Sequence, residues 1–139
     1  MNILEDVKLD KNNLAEEDVK FAETYYYYAK ELGAAKSNLD TAKTNLSATK
    51  GRRELAIRKS PGTDLKITES VISALVDSDT EVMAGEQEVD VAQEKVNLLY
   101  AAVMALNEKS SRLKELISLD NRSYYNSNAP SDGMHGRLK

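Results

Sequence analysis

From Phe21 onward, positions 21, 25, 28, 32, 35, 39, 42, 46, 49, 53 and 56 step alternately by four and three and read Phe, Tyr, Tyr, Leu, Ala, Leu, Ala, Leu, Thr, Arg, Ala. That spacing lays one narrow apolar stripe along an α-helix, and the stripe loses its apolar character at Thr49 and Arg53. A second run at 82, 85, 89, 92, 96, 99, 103, 106, 110, 113 and 117 reads Val, Gly, Val, Ala, Val, Leu, Val, Leu, Ser, Leu, Ile. Between them stands Ser60-Pro61-Gly62, where proline removes an amide donor and biases the residue before it away from helix. Two one-sided helices separated by a hard stop predict an all-α fold. Its two long antiparallel helices cover about 14–59 and 79–121 and are joined by a turn and a short helix.

Local signals place the ends. Asn13 is the expected N-cap of the first long helix, with Glu16, Glu17 and Asp18 favourably placed in its first turn. Thr68 is expected to cap a short helix over Glu69–Val76 that carries Val71, Ile72, Leu75 and Val76. Ser78-Asp79-Thr80-Glu81 fits a capping box in which Ser78 and Glu81 satisfy each other's exposed amides. Gly33 inside the first helix costs about 1 kcal/mol against alanine.

At 1.5 Å per residue each long helix spans roughly 60 Å, so the hairpin has no thick core of its own. Phe21, Tyr25, Tyr28, Leu32, Leu39 and Leu46 on one seam, and Val96, Leu99, Val103, Leu106, Leu113 and Ile117 on the other, are the expected helix-packing and oligomerisation residues. Small Ala35 and Ala42 would let a partner helix approach closely. Seams this narrow usually meet further helices, and a homo-oligomer is expected. Residues 1–123 form a single helical domain on this reading. The aperiodic stretch 124–139, rich in Asn, Ser, Gly and single charges, is expected to be disordered or to order only on a partner.

Composition removes most catalytic chemistry. The 139 residues contain no cysteine and one histidine, His135 in the tail, so no thiolate site, His-based triad or multi-His metal centre can be built on the helices. No Gly-rich phosphate loop occurs. The crowded carboxylates Glu86, Glu88, Asp90 and Glu94 lack the Asp-x-Asp-x-Asp-Gly pattern of a calcium loop and read as a solvated acidic face. A non-enzyme without metal or cofactor is expected. No apolar run approaches the roughly 20 residues that span a bilayer, and no charged-then-apolar leader opens the chain, so a cytoplasmic protein without a membrane partner is expected.

The net charge of −4 conceals a partition. Residues 50–66 carry 6 basic and 2 acidic groups, whereas 67–94 carry 8 acidic groups and no basic one. Lys50, Arg52, Arg53, Arg58 and Lys59 crowd the last turns of the first long helix, with Lys66 just beyond. One reading is a phosphate-tracking patch, giving salt-sensitive binding to nucleic acid without sequence preference. The other is internal pairing with 77–94, which an antiparallel hairpin brings alongside. Arg53 favours the first, because a guanidinium belongs on an apolar stripe only where the stripe ends or meets a partner.

Tyr28-Ala29-Lys30 early in a long helix, a heptad run leading into the basic Lys50–Gly62 segment and turn, a Ser/Asp helix start, and a second long helix carrying Lys109-Ser110-Ser111-Arg112-Leu113-Lys114 together define a pattern. Over about residues 18–122 it resembles the UvsY-type recombination mediators of bacteriophages. The resemblance implies a helical, ring-forming protein that binds single-stranded DNA and helps a RecA-like recombinase displace single-strand-binding protein. It assigns DNA contact to Arg52, Arg53, Arg58 and Lys59, flanked by Lys50 and Lys66, matched by region and charge rather than by identical positions. A phage scaffold, chaperone or other assembly protein without nucleic-acid binding is the alternative.

The run Thr24-Tyr25-Tyr26-Tyr27-Tyr28-Ala29-Lys30 is divided by helical phase. Tyr25 and Tyr28 lie on the seam and are expected to be buried, while Tyr26 and Tyr27 point away. The basic end is roughly 35 to 50 Å distant along the helix, too far for these rings to stack on bases held there by the same chain.

Overall fold

The computed structural model describes residues 2–60 and 68–128, the last four of these through their backbone alone. Four helices follow in chain order: α1 (Ile3–Asp6), α2 (Leu14–Arg58), α3 (Glu69–Asp77) and α4 (Thr80–Asn128). No strand occurs among the described residues. The all-α class and the two long helices packed against each other are as the heptads require. α1 carries no periodic signal long enough to announce it; Asn2 caps it by accepting from the Leu4 amide at 3.1 Å. α4 runs past the expected end near Asn121 to Asn128, so the first residues of the segment expected to be disordered are helical. The remainder of that segment, 129–139, and the turn at Pro61-Gly62 lie outside the described residues.

The helix ends are closed by different means. α2 begins at Leu14, and the Asn13 carbonyl accepts its first helical bond from the Glu17 amide at 3.1 Å, as an N-cap residue should. Thr68 holds the extended N-cap backbone of α3, but its hydroxyl pairs with Ser70 Oγ at 3.0 Å and caps nothing. The expected Ser78–Glu81 box does not form. Ser78 instead closes α3, donating its hydroxyl to the Leu75 carbonyl, and Asp79 caps α4, its Oδ1 accepting from the Glu81 amide at 3.0 Å and the Val82 amide at 3.4 Å.

Packing groups the chain into two compact units. One comprises Tyr26–Val103. Here Leu32, Ala35 and Leu39 of α2 form a buried cluster with Val96 of α4, covered by Val89, Ala92, Leu99 and Val103. Further along, Ile72 and Val76 of α3 close on Val82, with Leu46 and Ile57 against them. α3 thus seals the seam where the apolar residues of α2 run out. The approach of α2 to α4 is close at Gly85, where a Cβ would meet Leu46 Cδ1 at 3.0 Å. Tyr28 is 5% exposed and meets Tyr27 edge-to-face at 5.1 Å between ring centroids, while Tyr26 stands 69% exposed.

The other unit comprises residues up to Tyr25 and from Met104 onward. Leu106 and Leu113 are buried in it, and Phe21 and Tyr25 pack as tilted rings 5.8 Å apart. Its polar centre is Lys109, whose side chain is only 10% exposed. The ammonium reaches Glu17 Oε2 at 2.8 Å and the Asp6 carbonyl at 2.7 Å, so one cation ties α4 to α2 and to the end of α1. Glu17 Oε1 accepts from the Asp10 amide at 3.3 Å, holding down the segment between α1 and α2.

These contacts set the cost of substitutions. Leu106→Ala removes a fully buried side chain and is expected to destabilise by about 2–5 kcal/mol in denaturant titration. Gly33→Ala meets nothing within 4 Å and should stabilise by about 1 kcal/mol through helix propensity alone. Gly85→Ala, which must push Leu46 aside, is expected to gain less than Gly33→Ala in the same assay.

Candidate nucleic-acid interface

The basic residues lie where α2 loses its apolar seam, and helical geometry spreads them over more than one face. Arg58, in the last turn, also meets the negative end of the helix dipole, so its position is favourable before any partner is considered. The partners that the structure provides are carboxylates of the same unit. Lys50 Nζ lies 3.2 Å from Glu86 Oε1. Arg52 pairs with Glu81. Arg53 donates through both Nε and a terminal nitrogen to Asp79 Oδ2, each at 2.7 Å. Arg58 reaches Glu69 at 2.7 Å and Glu54, one turn back, at 2.8 Å.

These pairs are not alike. Arg52 is 60% exposed and Lys50 and Glu86 are about half-exposed, which puts their interactions in the range of surface ion pairs, about 0–1 kcal/mol each. Arg53 and Asp79 are 33% and 10% exposed, and the same carboxylate that takes the guanidinium caps α4. Burial by itself would push the Asp79 carboxyl up. The Arg53 hydrogen bond, the Glu81 and Val82 amides and the Arg53 charge together outweigh it and hold the group below its ordinary range. The Arg58 hydrogen bond, then its charge, lowers Glu69 in the same way, and Glu69 followed by Glu54 raises Arg58.

The antiparallel return therefore gathers Lys50, Arg52, Arg53 and Arg58 at one end of the unit and sets the acidic segment against them. Arg53 sits on the seam because the seam ends there and its guanidinium meets Asp79. Lys59 is exposed and has no ion-pair partner among the described residues; Lys66 lies outside them. Spacing alone did not single out Asp79 as a cap, because Ser78 and Asp79 are adjacent residues that both suit the position. A recess beside this end is lined by Lys50, Glu54, Glu69, Ile72, Ser73, Val76 and Asp77, and with three carboxylates to one ammonium it is no anion cradle. Among the described residues no group of His, Cys, Asp or Glu could hold a metal ion, and no helix is long and apolar enough to cross a membrane.

Of the expected packing residues, Tyr28, Leu32, Leu39, Val96, Leu106 and Leu113 are buried, and Phe21, Tyr25, Leu46, Leu99, Val103 and Ile117 are half-buried, all within the chain. Comparison with protein-family models, with curated proteins and with solved structures finds no match to this chain.

Asp79 can be tested through its two roles. Asp79→Asn keeps a capping oxygen and loses the charge, whereas Asp79→Ala loses both, so thermal midpoints at pH 7 should fall in the order wild type, Asp79→Asn, Asp79→Ala. Because the folded-state pKa is depressed, the stability that Asp79 contributes is fully present above its unfolded value of about 4 and is lost as pH falls through the lower folded value. Acid titration of wild type against Asp79→Asn should show a gap in stability that closes over that window.

Proposed function

We propose that this chain is a non-enzymatic recombination mediator. On this reading it oligomerises, holds single-stranded DNA at the C-terminal end of α2 and promotes loading of a RecA-like recombinase in place of single-strand-binding protein. The observation that carries the DNA contact is the set Lys50, Arg52 and Arg58 in the last turns of α2 with Lys59 just beyond, most of it on the surface. Exposed guanidinium and ammonium groups of this kind exchange partners readily and bind phosphate without reading sequence. Large apolar side chains left exposed after the seams have packed, among them Val91, Leu98, Tyr100 and Met104 on α4, support association between copies. Several copies close together would multiply weak contacts along one strand. The recombinase and single-strand-binding protein enter from the resemblance to UvsY-type mediators.

A helical scaffold, chaperone or other assembly protein without nucleic-acid binding is the second reading. It is favoured by the matching of Lys50, Arg52, Arg53 and Arg58 with carboxylates of the same chain.

Fluorescence anisotropy with a labelled oligo-dT at two salt concentrations separates them. The mediator reading expects binding that weakens with salt. Reversal of Arg52, Arg58 and Lys59 to Glu should then flatten the slope of log affinity against log salt by about 0.7 for each phosphate no longer neutralised, with helicity retained. Arg53 is left in place so that its pairing with Asp79 survives. Binding unchanged by the reversal would remove the patch from the DNA interface, and oligomers with no affinity at low salt would leave the assembly reading.

A further inference from the structure

We propose that the acidic residues facing the basic end of α2 act as a built-in competitor for phosphate, so that nucleic acid binds this end by exchange rather than by simple addition. The inference rests on the mediator reading and concerns the regulation of the same site. Its basis is the matched geometry, in which each of three cations faces a carboxylate across the packing and Arg58 also keeps Glu54 one turn back. Lys50 faces Glu86, Arg52 faces Glu81 and Arg58 faces Glu69, three cations of α2 held by three carboxylates from α3 and α4. Carboxylate and phosphate oxygens are interchangeable partners for such donors, with similar distances and the same fork geometry for arginine. A phosphate that takes the donors these carboxylates now hold must therefore displace them.

The fourth pair behaves differently. Asp79 is nearly enclosed and holds the first amides of α4 as well as Arg53, so releasing Arg53 would also uncap the helix. The basic end is thereby divided into a fixed part, Arg53–Asp79, and an exchangeable part built from the three more exposed pairs. Lys59, exposed and without an ion-pair partner among the described residues, is the group from which exchange can begin. The acidic side is dense enough for the purpose, since residues 67–94 contain 8 acidic groups and no basic one. The device sets a threshold: isolated phosphates compete poorly, while a polyanion that presents several phosphates at once displaces all three carboxylates together.

The test compares two variants of equal charge. One combines Glu69→Gln, Glu81→Gln and Glu86→Gln and removes the competitors supplied by α3 and α4, leaving Glu54 of α2 in place. The other combines Glu88→Gln, Asp90→Asn and Glu94→Gln, exposed residues of α4 with no ion pair among the described residues. Anisotropy with a labelled oligo-dT should show the first binding on the order of tenfold more tightly than wild type, from the removal of three surface pairs. The second should show only the smaller gain that a change in net charge produces. Equal gains in both variants, or none in the first, overturn the exchange while leaving DNA binding by the wild type intact. Absence of binding by wild type and by both variants overturns the mediator reading and this inference with it. Should the first combination lose helicity by circular dichroism, Glu81→Gln against Glu88→Gln gives the same comparison with one pair.

Discussion

Arg53 stands on the stripe that buries α2, and a charged group there is tolerated only because Asp79 meets it. That carboxylate receives two nitrogens of the guanidinium and, through its other oxygen, two amides at the start of α4. A helix start leaves amides without partners, and an arginine at the edge of a core leaves a charge without solvent; one side chain answers both needs. The register of α2 against α4 in this unit is tied at that point. From there the apolar contacts of Leu46 with Gly85, and of Leu32, Ala35 and Leu39 with Val96, follow in antiparallel order. α3 covers the same end with Ile72 and Val76, which close on Val82 and make the corner a small core of its own.

Lys109 has a comparable part in the other unit. A lysine buried to this degree is costly unless its donors are used, and here they reach a carboxylate of α2 and the carbonyl that ends α1. Four residues of α1 could not hold a helix in water by themselves, since the first turn is the expensive one. Its place is secured by the cap at Asn2 and by the ammonium at its C-terminal end, where the helix dipole favours a cation.

The two arrangements show how a chain rich in charge is organised around seams that are only one residue wide. Interactions that close the ends are partly buried and bifunctional, while those of Lys50, Arg52 and Arg58 are more exposed. On the proposed function, this difference in exposure lets the same basic segment serve both the fold and a polyanionic partner. It also gives Glu86 a purpose that compactness alone does not demand: a neutral residue there would leave the seam equally apolar.

Periodicity is a local property, and whatever depended on it was legible in the amino-acid order. The class of fold, the two long helices, the end of α2 close to Lys59 and the membership of both seams all follow from spacing and from proline. So does the division of the tyrosines, with Tyr28 inward and Tyr26 outward. The tertiary structure decided the matters that depend on which residues meet across the hairpin. Arg53 finds Asp79, and Arg52 finds Glu81, 26 and 29 residues along the chain, and no spacing rule fixes that register. Packing likewise chose Asp79 over Ser78 as the cap, because only Asp79 also faces a guanidinium. It also gave Lys109 a partner in α2. The amino-acid order placed the cations at one end of α2; the return of α4 decided that most of them meet a carboxylate there, because opposite charges on antiparallel helices pair wherever seam packing sets them within reach.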